Sequence, residues 1–480
     1  ETQKPLPRLL LAQARSAESG LPYQPLIEML RGTVQDAEWR RLDTVWLLAL
    51  SPLLPELMRL IPARPLPLDA MVQDSRGNIF EALRQLLLVL DGNERLLFFL
   101  DDAHWSDQAT LSALAYLQDR QFFEGRGLLV LSARQGERSP NLEEFLQRSH
   151  AEQSLQRFFL RQLSTDEIAN LAHHTLNQAL PKKLVTRLEH DTGGNPLFLI
   201  ETLRAWLDLS PRPDLDLVES LPLASSIHSL LHERLRALNV RSRGVLQAAA
   251  VIGHNFSLGL LEHVSGLSSE QVMLAMEDLE RYYLVRPDMR GSPDAYAFIH
   301  EKFREVLLKE LSPARRRLLH QRTAQALHTT PPGKAGAQAA VLAGHYYAAG
   351  DIRQAYSMWL EAATYARSLQ SLPEAYSAYQ HADDLLPHLA STLAADDIYS
   401  LYGPWGEAAS EISDAPMMQR VYSAMHGFGK QHHSPLLLGA GLSGLSYLAY
   451  FQHDFRGALD LVQQGMRYLE QTNNPFERIQ

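Results

Sequence analysis

Two short apolar runs, each closed by charged residues, dominate the pattern in the first third of the chain. Residues 96–100 read LLFFL and end at Asp101 and Asp102, and residues 128–133 read LLVLSA and end at Arg134. Continuous apolar runs of this length are typical of strands in a parallel sheet that is covered on both faces. Helical patterns surround them near residues 23–30, 79–90 and 108–118. The pattern predicts an α/β core over residues 1–163, with a proline-rich surface connection at residues 51–67.

The chain becomes helical from Ser164 onward. Ser164 and Glu167 have the spacing of a capping box, in which each side chain accepts a hydrogen bond from the backbone amide of the other residue. Helical periodicity continues to about Trp206, and a polar, proline-containing linker follows at residues 208–222. Residues 164–222 are therefore predicted to form an all-α segment and its linker.

Residues 223–325 combine predicted helices with two short strands. The helices fall near residues 227–238, 243–252, 257–264 and 269–282, and the strands at 284–286 and 296–299 are joined by a Gly/Pro turn. This order is typical of a winged helix, a fold that suggests DNA binding. Against that function, acidic residues crowd the helix that would enter the groove, where phosphate would repel them. They are Glu262, Glu270, Glu277, Asp278 and Glu280. We therefore expect no direct nucleic-acid contact by this portion.

Residues 326–480 are predicted to form helical repeats. Asp351 and Asp454 each follow a turn and precede an apolar residue and an alanine, so they mark the same local pattern. Their separation is close to three tetratricopeptide periods of about 34 residues each. Such repeats stack into an α-solenoid, which either binds a protein or ligand in its concave groove or serves as a spacer.

The acidic pair at the end of the first apolar run suggests phosphate chemistry. In open α/β sheets the ligand lies beyond the carboxyl ends of the strands, so Asp101 and Asp102 occupy the place where the metal of a nucleotide is expected. Asp101 would hold a hydrated Mg²⁺, and Asp102 would orient or deprotonate the attacking water. Arg134, at the end of the adjoining strand, would point a cation at the γ-phosphate. The alternative is structural, since a buried strand ending in Asp-Asp can simply cap the next helix.

The companion phosphate-binding motif is missing from the sequence. GxxxxGK[ST], the P-loop, occurs nowhere in the 480 residues. Mg²⁺ needs phosphates as additional ligands, and the phosphates need the backbone cradle and lysine of a P-loop. We therefore expect this chain, as it stands, to bind nucleotide weakly or not at all.

Three stretches together resemble a known family. They are LLFFLDDAHWSDQATLSALAYL at residues 96–117, LLVLSARQGE at 128–137 and TGGNPLFLIETL at 192–203. Residues 20–26, GLPYQPL, are similar to a segment that the family carries some way after its P-loop. The sequence resembles the STAND-type signal-transduction ATPases, which are AAA-related modules with tetratricopeptide repeats found in MalT/LuxR-type bacterial regulators.

The resemblance implies a domain order and further site residues. The order is a P-loop NTPase core, an all-α lid, a winged helix and an α-solenoid. Asn195 and Pro196 would contact the adenine base, and His300, after the second wing strand, would contact the diphosphate. Each has a simpler interpretation from the residues alone. Residues 193–196 are a turn that opens a helix, and His300 is a partly packed residue at a helix start.

The function that the resemblance implies is a nucleotide switch. ATP or ADP with Mg²⁺ would be the cofactors, and a protein or small-molecule inducer would bind the repeats. Nucleotide-dependent self-assembly would control a fused transcription-regulatory or signalling output. The P-loop would lie upstream of Glu1, or this would be a family member that has lost it. The competing hypothesis is a non-enzymatic repeat scaffold with a vestigial ATPase fold.

Composition excludes only a few classes of protein function. The balance of 45 basic against 55 acidic residues gives a net charge of −10, which argues against nucleic-acid binding by this portion. The absence of cysteine excludes disulfides and cysteine metal sites. The apolar stretch at residues 436–451 is interrupted by glycines and serines and is too short to span a membrane, so we expect close helix packing there. A cytoplasmic location without membrane contact is expected for a regulator that uses ATP.

Overall fold

The computed structural model describes residues 7–61, 75–91, 95–123, 126–134, 139–151, 155–209, 234–288, 294–328, 335–389 and 392–471. The chain divides into two compact units. The first unit consists of two segments, Glu1–Ser154 and His328–Gln480. The second unit is the segment between them, Leu155–Leu327. The predicted α/β core and the predicted repeats therefore lie in one unit.

A parallel sheet forms the centre of the first unit. Its strands are β1 (Arg8–Gln13), β2 (Leu96–Asp101) and β3 (Gly127–Leu131), in the order β1-β2-β3. In the register, Gln13 lies opposite Asp101, so β1 and β2 end at the same edge. The two predicted strands are confirmed as β2 and β3. The sequence analysis did not predict β1.

The helices around this sheet are α1 (Gln24–Thr33), α2 (Asp36–Trp39), α3 (Thr44–Leu50), α4 (Ser75–Asp91), α5 (Gln108–Asp119) and α6 (Pro140–Ala151). The three predicted helices correspond to α1, α4 and α5. Phe98 of β2 is buried and packs edge-on against Phe122 and Phe123. The prediction of a surface connection at residues 51–67 is wrong for its described part, because Leu53, Leu54 and Leu57 are buried in the core. Residues 62–67 lie outside the described residues.

The second unit begins with a helical cluster. Its helices are α7 (Thr165–Leu176), α8 (Lys182–Thr192) and α9 (Pro196–Leu209), which bury Trp206 between them. The predicted capping box is confirmed, since the Ser164 amide donates to a Glu167 carboxylate oxygen at 2.8 Å and Ser164 Oγ accepts from the Glu167 amide. Most of the predicted linker at residues 208–222 lies outside the described residues.

The rest of this unit combines helices with a small antiparallel sheet. The helices are α10 (Val240–Ile252), α11 (Leu258–Ser265), α12 (Ser269–Arg281), α13 (Glu301–Glu310) and α14 (Pro313–His328). The strands β4 (Asn255–Ser257), β5 (Val285–Pro287) and β6 (Ala295–Phe298) pair in the order β4-β6-β5. The predicted wing strands correspond to β5 and β6, whereas β4 was not predicted. Residues 227–233 and 289–293, which include the start of a predicted helix and the predicted turn, lie outside the described residues. The winged-helix assignment stays a prediction.

The last part of the first unit is a helical array. It contains α15 (Ala335–Ala349), α16 (Ile352–Ser368), α17 (Leu372–Leu389), α18 (Ala395–Glu411), α19 (Ala415–His432), α20 (Pro435–Phe451) and α21 (Phe455–Leu469). The two predicted caps are present, because Asp351 accepts from the Gln354 amide at 3.1 Å and Asp454 accepts from the Gly457 amide at 2.9 Å. Asp414 caps α19 in the same way. The structure thus has an array of helices, and its assignment as tetratricopeptide repeats stays a prediction.

Glycines bring helices of the array into close contact. A Cβ atom added to Gly444 of α20 would lie 2.1 Å from Cδ1 of Tyr422, and one added to Gly441 would lie 2.9 Å from the His426 backbone nitrogen. Only a residue without a side chain fits at such distances, so the expected close packing of residues 436–451 is confirmed. Among the described residues, no helix is both long enough and apolar enough to cross a membrane.

We expect Asp351→Ala to lower the free energy of unfolding by about 1 kcal/mol, because the Gln354 amide loses its acceptor at the start of α16. Urea unfolding followed by circular dichroism measures this change. The control Asp351→Asn keeps an acceptor oxygen and should remain close to the unmodified protein. Equal losses for both variants would contradict the capping explanation.

Candidate functional site

The acidic pair lies at the exit of the central strand. Asp101 is the last residue of β2, and Asp102 follows it with a left-handed backbone conformation, φ 51° and ψ 41°. Aspartate adopts this conformation more readily than most residues. A short 3₁₀ turn, Ala103–Trp105, then leads to α5. Both acids are partly exposed, so they lie at a strand end with access to solvent, as the sequence predicted.

Ser132, just after β3, holds the two acids in place. Its backbone amide donates to the Leu100 carbonyl at 3.0 Å, and its carbonyl accepts from the Ala103 amide at 2.7 Å. Its hydroxyl donates to Oδ1 of Asp101 and accepts from the Asp102 amide at 3.0 Å. The sequence analysis did not single out Ser132. Its position after a buried strand at the same sheet edge was the available signal.

Three further side chains surround Asp102. The Nε atom of Arg134 lies 3.7 Å from Oδ1 of Asp102, and Gln13 Nε2 donates to Oδ2 at 3.2 Å. The imidazole of His104 is buried, with Nδ1 at 3.9 Å from Asp102 Oδ1. The structure therefore brings together Asp101, Asp102 and Arg134, as the strand order predicted. Arg134 contacts a carboxylate here, and its role toward a γ-phosphate stays a prediction.

A metal ion at this strand end would have one carboxylate ligand, Asp101, and not a full set of protein ligands. Among the described residues, no group of three or more His, Cys, Asp or Glu side chains could hold a metal ion. Mg²⁺ commonly takes one or two carboxylates and completes its shell with water and substrate phosphates. Asp101 fits such a ligand, because Ser132 fixes its orientation through one oxygen. Asp102, held by Gln13, can accept a hydrogen bond from water.

The predicted adenine contact lies in a tight turn of the second unit that requires glycine. Gly193 and Gly194 have φ values of 59° and 69°, and a Cβ on Gly194 would lie 2.6 Å from the Leu163 carbonyl oxygen. Asn195 Oδ1 accepts from the Leu197 amide at 2.9 Å, and Pro196 begins α9. The turn interpretation is confirmed. Contact of Asn195 and Pro196 with a base stays a prediction.

His300 faces a buried carboxylate that the sequence analysis missed. Its Nε2 atom lies 3.4 Å from Oε1 of Glu201, a residue of α9 whose side chain is 1% exposed. Arg234 forms a close ion pair with the other oxygen of Glu201. Burial raises the pKa of the Glu201 carboxyl, but the hydrogen bond with His300 and the charge of Arg234 outweigh it and hold the pKa below its ordinary value. His300 also packs edge-on against Phe303, as the packed-residue interpretation expected.

One family model matches the beginning of the sequence. Residues 2–131 match the family described as the AAA ATPase domain, and this segment contains β1, β2 and β3. No curated protein gives a significant match to the chain. The site residues Asp101 and Asp102 lie inside the matched segment.

Several solved structures are similar to this chain at low identity. One is a STAND protein with a tetratricopeptide repeat sensor from Pyrococcus horikoshii, with 13% identity, a TM-score of 0.39, and coverage of 84% of this chain and 59% of that chain. A Walker-type ATPase of Pyrococcus abyssi has 15% identity, a TM-score of 0.27, and coverage of 62% and 83%. A RuvB variant from Thermotoga maritima has 15% identity, a TM-score of 0.22, and coverage of 48% and 74%. This chain thus spans 59% of the length of the STAND protein.

Proposed function

We propose that this protein is a nucleotide-regulated signal-transduction ATPase module of the STAND type. The observation that carries the proposal is the pair Asp101 and Asp102 at the exit of β2, with Arg134 3.7 Å from Asp102, inside a segment that matches the AAA ATPase domain. In this role Asp101 holds Mg²⁺, Asp102 orients the attacking water and Arg134 stabilises charge on the γ-phosphate.

The open edge of the sheet supports a phosphate-binding loop supplied by polypeptide outside this sequence. In the described part of the chain, β3 pairs only with β2, and Leu128 of β3 is 61% exposed. The unpaired backbone groups of an edge strand can accept another strand. A parallel strand added to β3 would end beside Asp101 and Arg134, where a following P-loop would present phosphates to them.

The second unit and the helical array regulate the ATPase core in this proposal. Asn195 and Pro196 contact the adenine base, His300 contacts the diphosphate of ADP, and the repeats receive a protein or small-molecule inducer. ATP then permits self-assembly and activates a fused transcription-regulatory or signalling output. A cytoplasmic location without direct nucleic-acid or membrane contact suits this role. One observation favours the non-enzymatic scaffold instead, since GxxxxGK[ST] is absent from the 480 residues.

Calorimetric titration with Mg-ATP and Mg-ADP tests the proposal. The 480-residue chain is expected to bind either nucleotide weakly or not at all, and a version extended upstream to include a P-loop should bind both. Tight Mg-ATP binding by the shorter chain would contradict the need for a P-loop. Failure of the extended version to bind would favour the scaffold.

A further inference from the structure

The helical array contributes residues to the hydrophobic core around the parallel sheet. Leu369 lies between α16 and α17 and is completely buried in the hydrophobic cluster that contains Leu10, Phe98 and Leu114. Tyr365, in the last turns of α16, packs against the same cluster. The turn between these two helices is therefore an integral part of the core of the first unit.

Glu374, in the first turn of α17, extends this contact to the start of α5. Its Oε1 atom accepts from the amides of Gln108 at 2.7 Å and Ala109 at 3.2 Å, and Ser371 Oγ donates to Oε2. Amides in the first turn of a helix have no partner within the helix. A carboxylate from the array, which is only 5% exposed, thus supplies the missing acceptors for the helix that follows the acidic pair.

A second buried carboxylate occupies the same helix start. Asp107 is 3% exposed, and its Oδ1 accepts from the amides of Thr110 at 2.7 Å and Tyr23 at 2.9 Å. Its Oδ2 accepts from the Thr110 hydroxyl at 2.8 Å. The core and the array therefore each place one carboxylate at the start of α5. Two neighbouring carboxylates away from water disfavour the state in which both are charged.

We propose that Asp107 and Glu374 form a proton-dependent joint, that is, a contact between α5 and the helical array that weakens when the pair of carboxyl groups loses a proton. The groups that face Asp107 are the Glu374 carboxylate and the donors of Tyr23 and Thr110. Those that face Glu374 are Ser371 and the two α5 amides. The joint requires no nucleotide, so it can be tested independently of the proposed ATPase function.

The raised pKa of the Asp107 carboxyl supports this joint. Burial, and then the charge of Glu374, raise the pKa of Asp107 from 3.8 to about 7, although hydrogen bonds from Thr110 and Tyr23 act in the opposite direction. The folded protein therefore retains a proton that the unfolded chain releases. Stability from this group is fully present below pH 3.8 and is lost as the pH rises towards about 7. For this pair of pKa values, the unfolding constant should rise about a hundredfold between about pH 5 and pH 8.

Denaturant unfolding of the whole chain at several pH values between about 5 and 8 tests the joint. Asp107→Asn keeps an acceptor for the Thr110 and Tyr23 amides but cannot titrate, so the pH dependence in that window should become flatter. The matched control Glu361→Gln, near the middle of α16, should retain the full pH dependence. If the Asp107→Asn and unmodified proteins lose stability in parallel, the proposal is overturned.

Glu374→Gln provides a second variant and a local measurement. It keeps an acceptor oxygen but removes the charge that disfavours ionisation of Asp107, so the loss of stability should move to lower pH. Hydrogen exchange at Gln108 and Ala109, corrected for the intrinsic rate, should show protection in the unmodified protein that falls at least tenfold from about pH 5 to 8. An unchanged pH window in Glu374→Gln, or constant protection of both amides, would exclude a joint between the array and α5.

Discussion

Replacing Asp101 with alanine is expected to lower Mg²⁺-dependent ATP turnover about a thousandfold, in a version of the protein that carries a P-loop. The metal stabilises transition-state charge by several kcal/mol, and each 1.36 kcal/mol is worth about tenfold in rate. Asp101 supplies the carboxylate at the exit of β2, and Ser132 fixes its position. Phosphate release at saturating nucleotide, measured across a Mg²⁺ titration, gives the effect.

Asp102→Asn is the matched comparison for this experiment. Asparagine tolerates the left-handed conformation at residue 102, so the local backbone should be preserved. This variant should keep Mg²⁺-dependent nucleotide binding and lose turnover, whereas Asp101→Ala should also lose the Mg²⁺ dependence of binding. Unchanged turnover in Asp101→Ala would remove Asp101 from the mechanism.

Glu201→Ala is expected to destabilise the second unit by about 3–5 kcal/mol. Removing one partner of a buried ion pair leaves the other charge without compensation. Glu201 is almost completely buried, and its loss would leave the Arg234 guanidinium without its carboxylate partner. Because the folded-state pKa of Glu201 is lowered, its stabilising contribution is present above its ordinary value of 4.5 and is lost as the pH falls below it. Chemical unfolding at neutral pH measures the loss.

Two further variants test whether the buried ion pair of Glu201 causes this loss of stability. Glu277→Ala removes an exposed acid from α12 of the same unit and should change stability by less than about 0.5 kcal/mol. Glu201→Gln keeps the side-chain shape and an acceptor oxygen, so its loss should fall between the two alanine variants. If Glu201→Ala is no more destabilising than Glu277→Ala, the ion pair does not hold the second unit together.

Local sequence patterns were sufficient to predict the acidic edge. A continuous apolar run predicts a buried strand. Because ligands of open α/β sheets lie beyond the strand ends, the acids that follow the run are predicted to lie at a ligand site. Asp101, Asp102 and Arg134 were located in this way, and the structure brings them together. The capping box at Ser164 and the aspartate caps of the array were predictable for the same reason, since each involves residues three positions apart.

Contacts between distant parts of the chain were not predictable. Glu374 meets Gln108 across 266 residues, and in the sequence it is an ordinary acid in a helical pattern. Glu201 meets His300 across 99 residues, and nothing near it indicates burial. The strand β1 was missed because its apolar run has only four residues, LLLA at 9–12, and so short a run suits a strand or a buried helical segment equally well. Only pairing with β2 decides between them.

The first unit is built from two segments that lie far apart in the sequence, and this separation affects how it folds during synthesis. When residues 1–154 leave the ribosome, Leu369 has not yet been made, so the hydrophobic cluster around the sheet lacks a buried member. The middle unit, Leu155–Leu327, is complete long before α17 emerges. Contacts over such separations form slowly and leave apolar surface exposed in the meantime. The sheet therefore gains its full hydrophobic core only after the turn between α16 and α17 has been synthesised, and its apolar surface is prone to aggregation until then.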